Sequence, residues 1–220
     1  MAKSGTKSAG RPKSEEKRQQ ILNAAVNLFL HQGVTATSMD AIAKESGVSK
    51  QTVYSHFASK DELYTVAIES KCRDYLLTPD DLACCPAETN GLKHTLELIG
   101  AQLLRLLSDP QVIAMYRIVI SEAKNAPEVA RLFYQAGPKK GVEDIGLLFL
   151  KDSEYLLTEE ESITLAVQYL NLLKSDFHMR SLFGLEDILS EEQIRAKVDM
   201  SVRSILLLYR DAIKHKTLRS

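Results

Sequence analysis

The chain has 220 residues, room for one compact unit or a small domain attached to a larger one. No apolar run approaches the roughly 18 residues that span a bilayer, and the first residues lack the apolar stretch of a signal peptide. Three cysteines, two of them adjacent, do not make a disulfide framework, so a cytosolic, soluble protein is expected.

The formal net charge of −1 hides an asymmetry. Residues 1–60 carry nine Lys or Arg against four Asp or Glu, and residues 61–220 carry nineteen against twenty-five. A basic N-terminal part on an acidic remainder suits a protein that meets a polyanion at one end.

Residues 1–13 are rich in Lys, Ser, Gly and Ala and have too little apolar surface to order themselves. They are expected to be a disordered basic arm with a modest electrostatic role toward the polyanion. A first helix is predicted from Ser14, as N-cap, to His31, with the apolar stripe Ile21, Ala25, Leu28 and Phe29 and with Gly33 as terminator. Met39, Ile42 and Ala43 mark one face of a second helix, which ends at Gly47. Ser49 is an N-cap for a third, Lys50 to Phe57. Ser59-Lys60-Asp61-Glu62 is a capping box that opens a fourth, predicted to reach about Leu77. Thr78 to Asn90 reads as a loop.

Helical periodicity continues beyond it. Leu92, Leu96, Ile99, Leu103 and Leu106 form one stripe, and Val112, Tyr116, Val119 and Ile120 another. Pro110 and Pro127 sit where proline opens helices, Gly137-Pro138 is expected to interrupt one, and a further helix should start near Lys139. Capping boxes at Thr158 and Ser190 open two more, predicted to end near His178 and Lys214. No alternating strand pattern occurs, and the fold class is all-α.

The third helix is poorly made for packing. Val53 and Phe57 can face inward, while Lys50, Gln51, Thr52, Tyr54, Ser55 and His56 stay outside. A crowd of donors on few apolar anchors suits a DNA major groove. Lys60, Tyr54, His56, Thr37 and Ser49 are placed to reach phosphates; Lys50, Gln51, Thr52 and Ser55 can reach base edges.

Gly33, Thr37, Ile42-Ala43, Gly47-Val48-Ser49, Thr52, Tyr54, His56-Phe57, Ser59-Lys60 and Leu63 together resemble the helix-turn-helix signature of TetR-family transcriptional regulators. The resemblance covers roughly Arg11 to Val66. It departs from the family at Ser46, where Ala is more usual, and at Ser55, where a larger residue is common. Ile118 to Pro138 resembles, less specifically, the AefR-like subgroup of TetR C-terminal domains. The resemblance implies a basic arm at 1–13, a DNA-binding domain at 14–60 and a helical effector-binding and dimerisation domain at 61–220. It implies a homodimer that binds a palindromic operator as a repressor and is released by a small apolar or amphipathic effector. A DNA-bound structural factor without an effector, like the family members that act in nucleoid occlusion, is the alternative. A phosphate role for Tyr54, His56 and Lys60 is also what the family implies.

For an effector pocket the C-terminal helices offer Tyr75, Met115, Arg117, Ser121, Phe133, Tyr134, Tyr169 and Asn171, apolar walls with a few polar groups. Ile163, Ala166, Val167, Leu170, Leu173 and Phe177 lie on one stripe. Ile194, Val198, Val202, Ile205, Tyr209 and Ile213 lie on another, with Leu206, Leu207 and Leu208 extending it around the helix. A helix apolar on more than one face must be covered on more than one face, which points to a four-helix dimer contact. Ile163, Val167, Leu170, Val202, Ile205 and Tyr209 are the candidates. Cys72, Cys84 and Cys85 lack metal-ligand spacing and are expected to be ordinary cysteines. No nucleophile elbow, phosphate loop or metalloprotease motif is present, so neither catalysis, metal nor cofactor is expected.

Overall fold

The computed structural model of the chain describes residues 11–73, 91–185 and 188–217, and among them every regular element is helical. Residues 1–10, Tyr75, the Thr78–Asn90 loop, Cys84 and Cys85 lie outside the described residues, as do the side chains of Ser14 and Cys72. Two compact units are formed, Met1–Ala67 and Ile68–Ser220.

In the first unit, α1 (Arg11–Gln32) begins three residues before the expected start. Ser14 is therefore inside the helix, and residues 11–13 belong to it rather than to the arm. Gly33 takes φ 81° just past its end, the left-handed conformation that lets a chain leave a helix sharply. α2 (Met39–Ser46) and α3 (Lys50–His56) follow, and α4 (Lys60–Arg73) starts next. Ile21, Ala25, Phe29, Ile42, Val53, Phe57, Leu63 and Tyr64 are almost completely buried. Phe29 and Tyr64 meet edge to face, with ring centroids 5.4 Å apart. Such rings each contribute on the order of 1.5–3 kcal/mol through burial. Because Leu63, Tyr64 and Ala67 complete this core, the division between the units falls inside α4, beyond the expected boundary at Lys60.

The second unit contains α5 (Gly91–Ser108), α6 (Pro110–Glu122), α7 (Pro127–Tyr134), α8 (Lys140–Asp152), α9 (Glu159–Leu182) and α10 (Glu191–Thr217). Asp109 caps α6, its carboxylate accepting from the Gln111 and Val112 amides, and also pairs with Lys71 of α4 at 2.7 Å. Gly137 and Pro138 do not interrupt the chain. They occupy a π-helical turn, Gln135–Lys139, that joins α7 to α8. The wider i→i+5 turn accommodates a proline ring and its missing N–H inside continuous helix. The Thr158 box is reciprocal, Thr158 with Glu161, and Ser190 with Gln193 makes the same exchange. At Ser59 the box is displaced: Ser59 Oγ accepts from the Glu62 amide, but Glu62 accepts from Ala58.

The core of this unit runs through Leu92, Leu96, Leu104, Leu107, Phe149, Tyr169, Leu173, Val198, Val202 and Ile205. On α5 the buried stripe passes through Gly100 to Leu104 and Leu107, leaving Ile99 and Leu103 only partly buried. The reason is Tyr169, whose hydroxyl donates to the Leu96 carbonyl; a Cβ at Gly100 would collide with that hydroxyl. On α6, Ile120 points to solvent, contrary to its place in the predicted stripe.

Four of the six expected dimer residues are corrected by this packing. Leu170, Val202, Ile205 and Tyr209 are buried in the core of their own chain. Ile163 is half-buried and stacks on α8, where a Cβ at Gly146 would stand 2.7 Å from its Cδ1. Of the six, Val167 remains exposed, at 40%. The apolar surface of α10 left outside is instead Met200, Leu207 and Leu208.

Candidate DNA interface and effector site

The turn between α2 and α3 is set by backbone chemistry. Ser38 caps α2 by accepting from the Ala41 amide, and Gly47 ends it at φ 70°. The Val48 amide donates to Ala43 O and the Gly47 amide to Lys44 O, the paired bonds of a Schellman motif. Ser49 then caps α3, accepting from the Thr52 amide at 3.2 Å. Its hydroxyl also bonds the Thr52 hydroxyl at 2.8 Å, so Ser49 and Thr52 first serve the helix start.

Val53 and Phe57 anchor α3 in the core, and Arg18 of α1 stands 5.0 Å over the Phe57 ring. Lys50, Gln51, Tyr54 and Ser55 are exposed, while Thr52 and His56 are half-buried. Gln51, Tyr54 and Ser55, at i, i+3 and i+4, share one face. Lys50 is bound to Asp40 of α2 at 2.7 Å, and that hydrogen bond and charge hold its ammonium pKa above the usual lysine value. The pair lies in solvent and ties the two helices only weakly.

Two expected phosphate contacts turn inward. Thr37 is 2% exposed; its hydroxyl donates to Gly33 O at 2.7 Å and accepts from Gln32 Nε2 at 3.2 Å. Lys60 Nζ donates to the carbonyls of Val34, Thr35 and Thr37 at 2.8, 3.3 and 2.9 Å. An ammonium has three hydrogens, and here all three close the α1–α2 turn. Nothing in the local sequence signals this, because the acceptors lie more than twenty residues earlier.

In the second unit the predicted effector residues scatter. Met115 and Phe133 are buried beside neighbouring helices, and Tyr169 is sealed against Leu96, where burial raises its phenol pKa. Arg117 is corrected to a structural role. It donates to the Ser181 and Leu182 carbonyls at 2.7 and 2.9 Å and so caps the end of α9. Ser121 bonds within its own helix, and Tyr134 and Asn171 face solvent.

A different group converges at a break in α9. Ser175 takes φ 39° and ψ −141°, non-helical angles inside the helix. For a residue other than glycine such a conformation costs on the order of 1–3 kcal/mol, and it recurs at ligand sites. Lys197 of α10 donates to Ser175 Oγ at 3.4 Å and lies 5.8 Å from the Phe177 ring. On either side of the break stand Lys174 and His178. The Tyr116 ring of α6 meets His178 edge to face at 4.9 Å and Phe133 of α7 at 4.8 Å. Burial, then the Lys174 charge, pushes the His178 pKa down to about 4, and burial also lowers that of Lys174. His178 Nδ1 is buried without a hydrogen-bond partner. Kinks carry no hydrophobic periodicity, so the sequence offered no signal for this cluster.

Among the described residues no group of His, Cys, Asp and Glu is arranged to hold a metal, and no helix is long and apolar enough to cross a membrane.

Comparison with known proteins covers both units. Residues 21–67 match the family model of bacterial regulatory proteins of the tetR family, and residues 94–211 match that of the AefR-like transcriptional repressor C-terminal domain. The chain is 31% identical over 109 residues to the HTH-type transcriptional regulator SrpR of Pseudomonas putida, an overlap of 49% of this chain and 47% of that protein. It is 27% identical over 158 residues to the uncharacterized regulator YezE of Bacillus subtilis, covering 69% and 78%. The chain thus spans about half of SrpR and more of YezE. Among solved structures, the Flavonoid-responsive Regulator FrrA is 30% identical and superposes with a TM-score of 0.66 over 88% of this chain and 97% of its own.

Proposed function

This chain belongs to the TetR family of DNA-binding transcriptional regulators, with an AefR-like C-terminal domain, and from that premise we propose that it is an effector-controlled repressor. Regulators of this family are not enzymes. The observation that carries the DNA-reading role is the face of α3. Gln51, Tyr54 and Ser55 stand exposed over Val53 and Phe57, which fix the helix from beneath. Gln51 and Ser55 read base edges, with Gln suited to adenine. Tyr54, His56 and Ser49 hold phosphates, Lys50 contributes charge once it leaves Asp40, and Thr52 supports the helix start.

The working unit is a homodimer. Val167 on α9 and Met200, Leu207 and Leu208 on α10 leave apolar surface on two packed helices, and a second copy covers it. A two-fold dimer reads a palindrome with half-sites ~34–36 Å apart, one helical turn.

Release follows if an effector binds the second unit with different affinity in the DNA-competent and DNA-free states. The name of FrrA says that it responds to flavonoids, which supports a small, largely apolar effector here. The Lys71–Asp109 pair, at 2.7 Å, fastens the end of α4 to the start of α6 within the second unit.

The test is selection of bound duplexes from a random DNA library, followed by footprinting. An enriched palindrome protected on both half-sites is expected. Recovery of fragments without a common motif would overturn sequence-specific reading and favour an architectural role.

A further inference from the structure

The proposed effector reading leaves open what the effector is, and the break in α9 carries chemistry that narrows it. Lys174 is partly buried and takes part in no ion pair among the described residues. A half-buried ammonium with no ion-pair partner favours an anion beside it. Four residues on, His178 presents a buried Nδ1 with no partner. Imidazole in the Nδ1–H tautomer donates a hydrogen bond from that position. Among the described residues, the carboxylate beside the break in sequence is Asp176, whose side chain is 81% exposed and lies 3.9 Å from Arg180. Lys197 adds a second ammonium at Ser175. The charged groups described in the cluster are thus Lys174 and Lys197, and its other side is the Tyr116 and Phe133 edge.

We propose that the α9 break, with Lys174 and His178 flanking Ser175 and Tyr116 and Phe133 beside them, is a binding site for an apolar organic acid. The carboxylate of that acid lies against the Lys174 ammonium and accepts from His178 Nδ1, and its apolar body lies along the Tyr116 and Phe133 rings. One anion thus gives the Lys174 ammonium a counter-charge and His178 Nδ1 an acceptor, and a charge-assisted pair of this kind is stronger than a neutral hydrogen bond. The non-helical turn at Ser175 lies between the two donors in sequence. This inference rests on the effector-controlled reading above, and it assigns that effector its chemical class.

Titration calorimetry of the full chain with naphthoate and with its uncharged counterpart naphthamide tests the assignment, with decanoate and decanol as an aliphatic pair. One of the acids is expected to bind about tenfold or more tightly than its neutral partner. K174M should remove that preference, K174R should retain it, and H178Q should weaken it less than H178F. Thermal melts of each variant distinguish lost binding from lost folding. Equal affinity for acid and neutral partner, no binding of either acid, or unchanged acid binding in K174M would overturn the proposal. The wider reading fails separately. An acid that binds but does not release operator DNA refutes effector control and leaves the site, whereas release by neutral compounds alone refutes the site and leaves effector control.

Discussion

Lys60 Nζ lies 2.8 Å from the carbonyl oxygen of Val34, a residue at the opposite end of the helix-turn-helix segment. With the Thr35 and Thr37 carbonyls it makes the first turn of α4 a clasp on the α1–α2 connection. Lys60→Ala is therefore expected to destabilise the first unit by about 1–3 kcal/mol, the cost of leaving carbonyls without their charged donor. DNA affinity should fall only through that loss, with an unchanged salt slope. A residue on a phosphate would instead lower the slope by about 1. Binding isotherms across a salt series, paired with urea melts, separate the two, and a lowered slope with wild-type stability would put Lys60 back on the DNA.

Gln51 is exposed on α3 with no hydrogen bond inside the described structure, so its amide is available to a base edge. Gln51→Ala is expected to cost ~1–3 kcal/mol at one base pair of each half-site and to leave the other positions unchanged. A competition assay against single-base operator variants reads this directly. A uniform loss across all variants would assign Gln51 to the backbone.

The second copy is expected on α9 and α10. Leu207 is 67% exposed and Leu208 47%. Replacing both by Glu should leave the helix intact, since neither fills the core, and should convert the dimer to a monomer in sedimentation at micromolar concentration. A double variant that sediments as wild type would move the interface elsewhere.

His178 gives the second unit an acid sensitivity. Its pKa is held at about 4, below the ordinary value of 6.5, so the unfolded chain binds the proton more readily than the folded one. Above the ordinary value the imidazole is neutral in both states and contributes no pH dependence. As pH falls from that value toward the folded-state pKa, stability is lost, and below it the loss is complete. His178→Gln should flatten that window in urea melts taken across it, whereas an unchanged pH profile would mean that the ring is free to charge in place.

The amino-acid sequence by itself determined whatever depends on neighbours along the chain. Gly47, Ser49 and Thr158 ended and began helices as their backbone chemistry requires, and the all-helical class followed from apolar periodicity. The split of α3 into the buried pair Val53 and Phe57 and the exposed Gln51, Tyr54 and Ser55 came from the same local pattern. Tertiary structure decided where long polar side chains and shared apolar faces go. Lys60 and Arg117 end on carbonyls 23 to 26 and 64 to 65 residues away, and an acceptor that distant leaves no trace in spacing. Leu170, Val202, Ile205 and Tyr209 read as interface because an apolar stripe shows that a face is covered without showing by what. The break at Ser175 is the sharpest instance. The residues around it are ordinary helix formers, and only packing against neighbouring helices can hold a non-glycine residue at φ 39°.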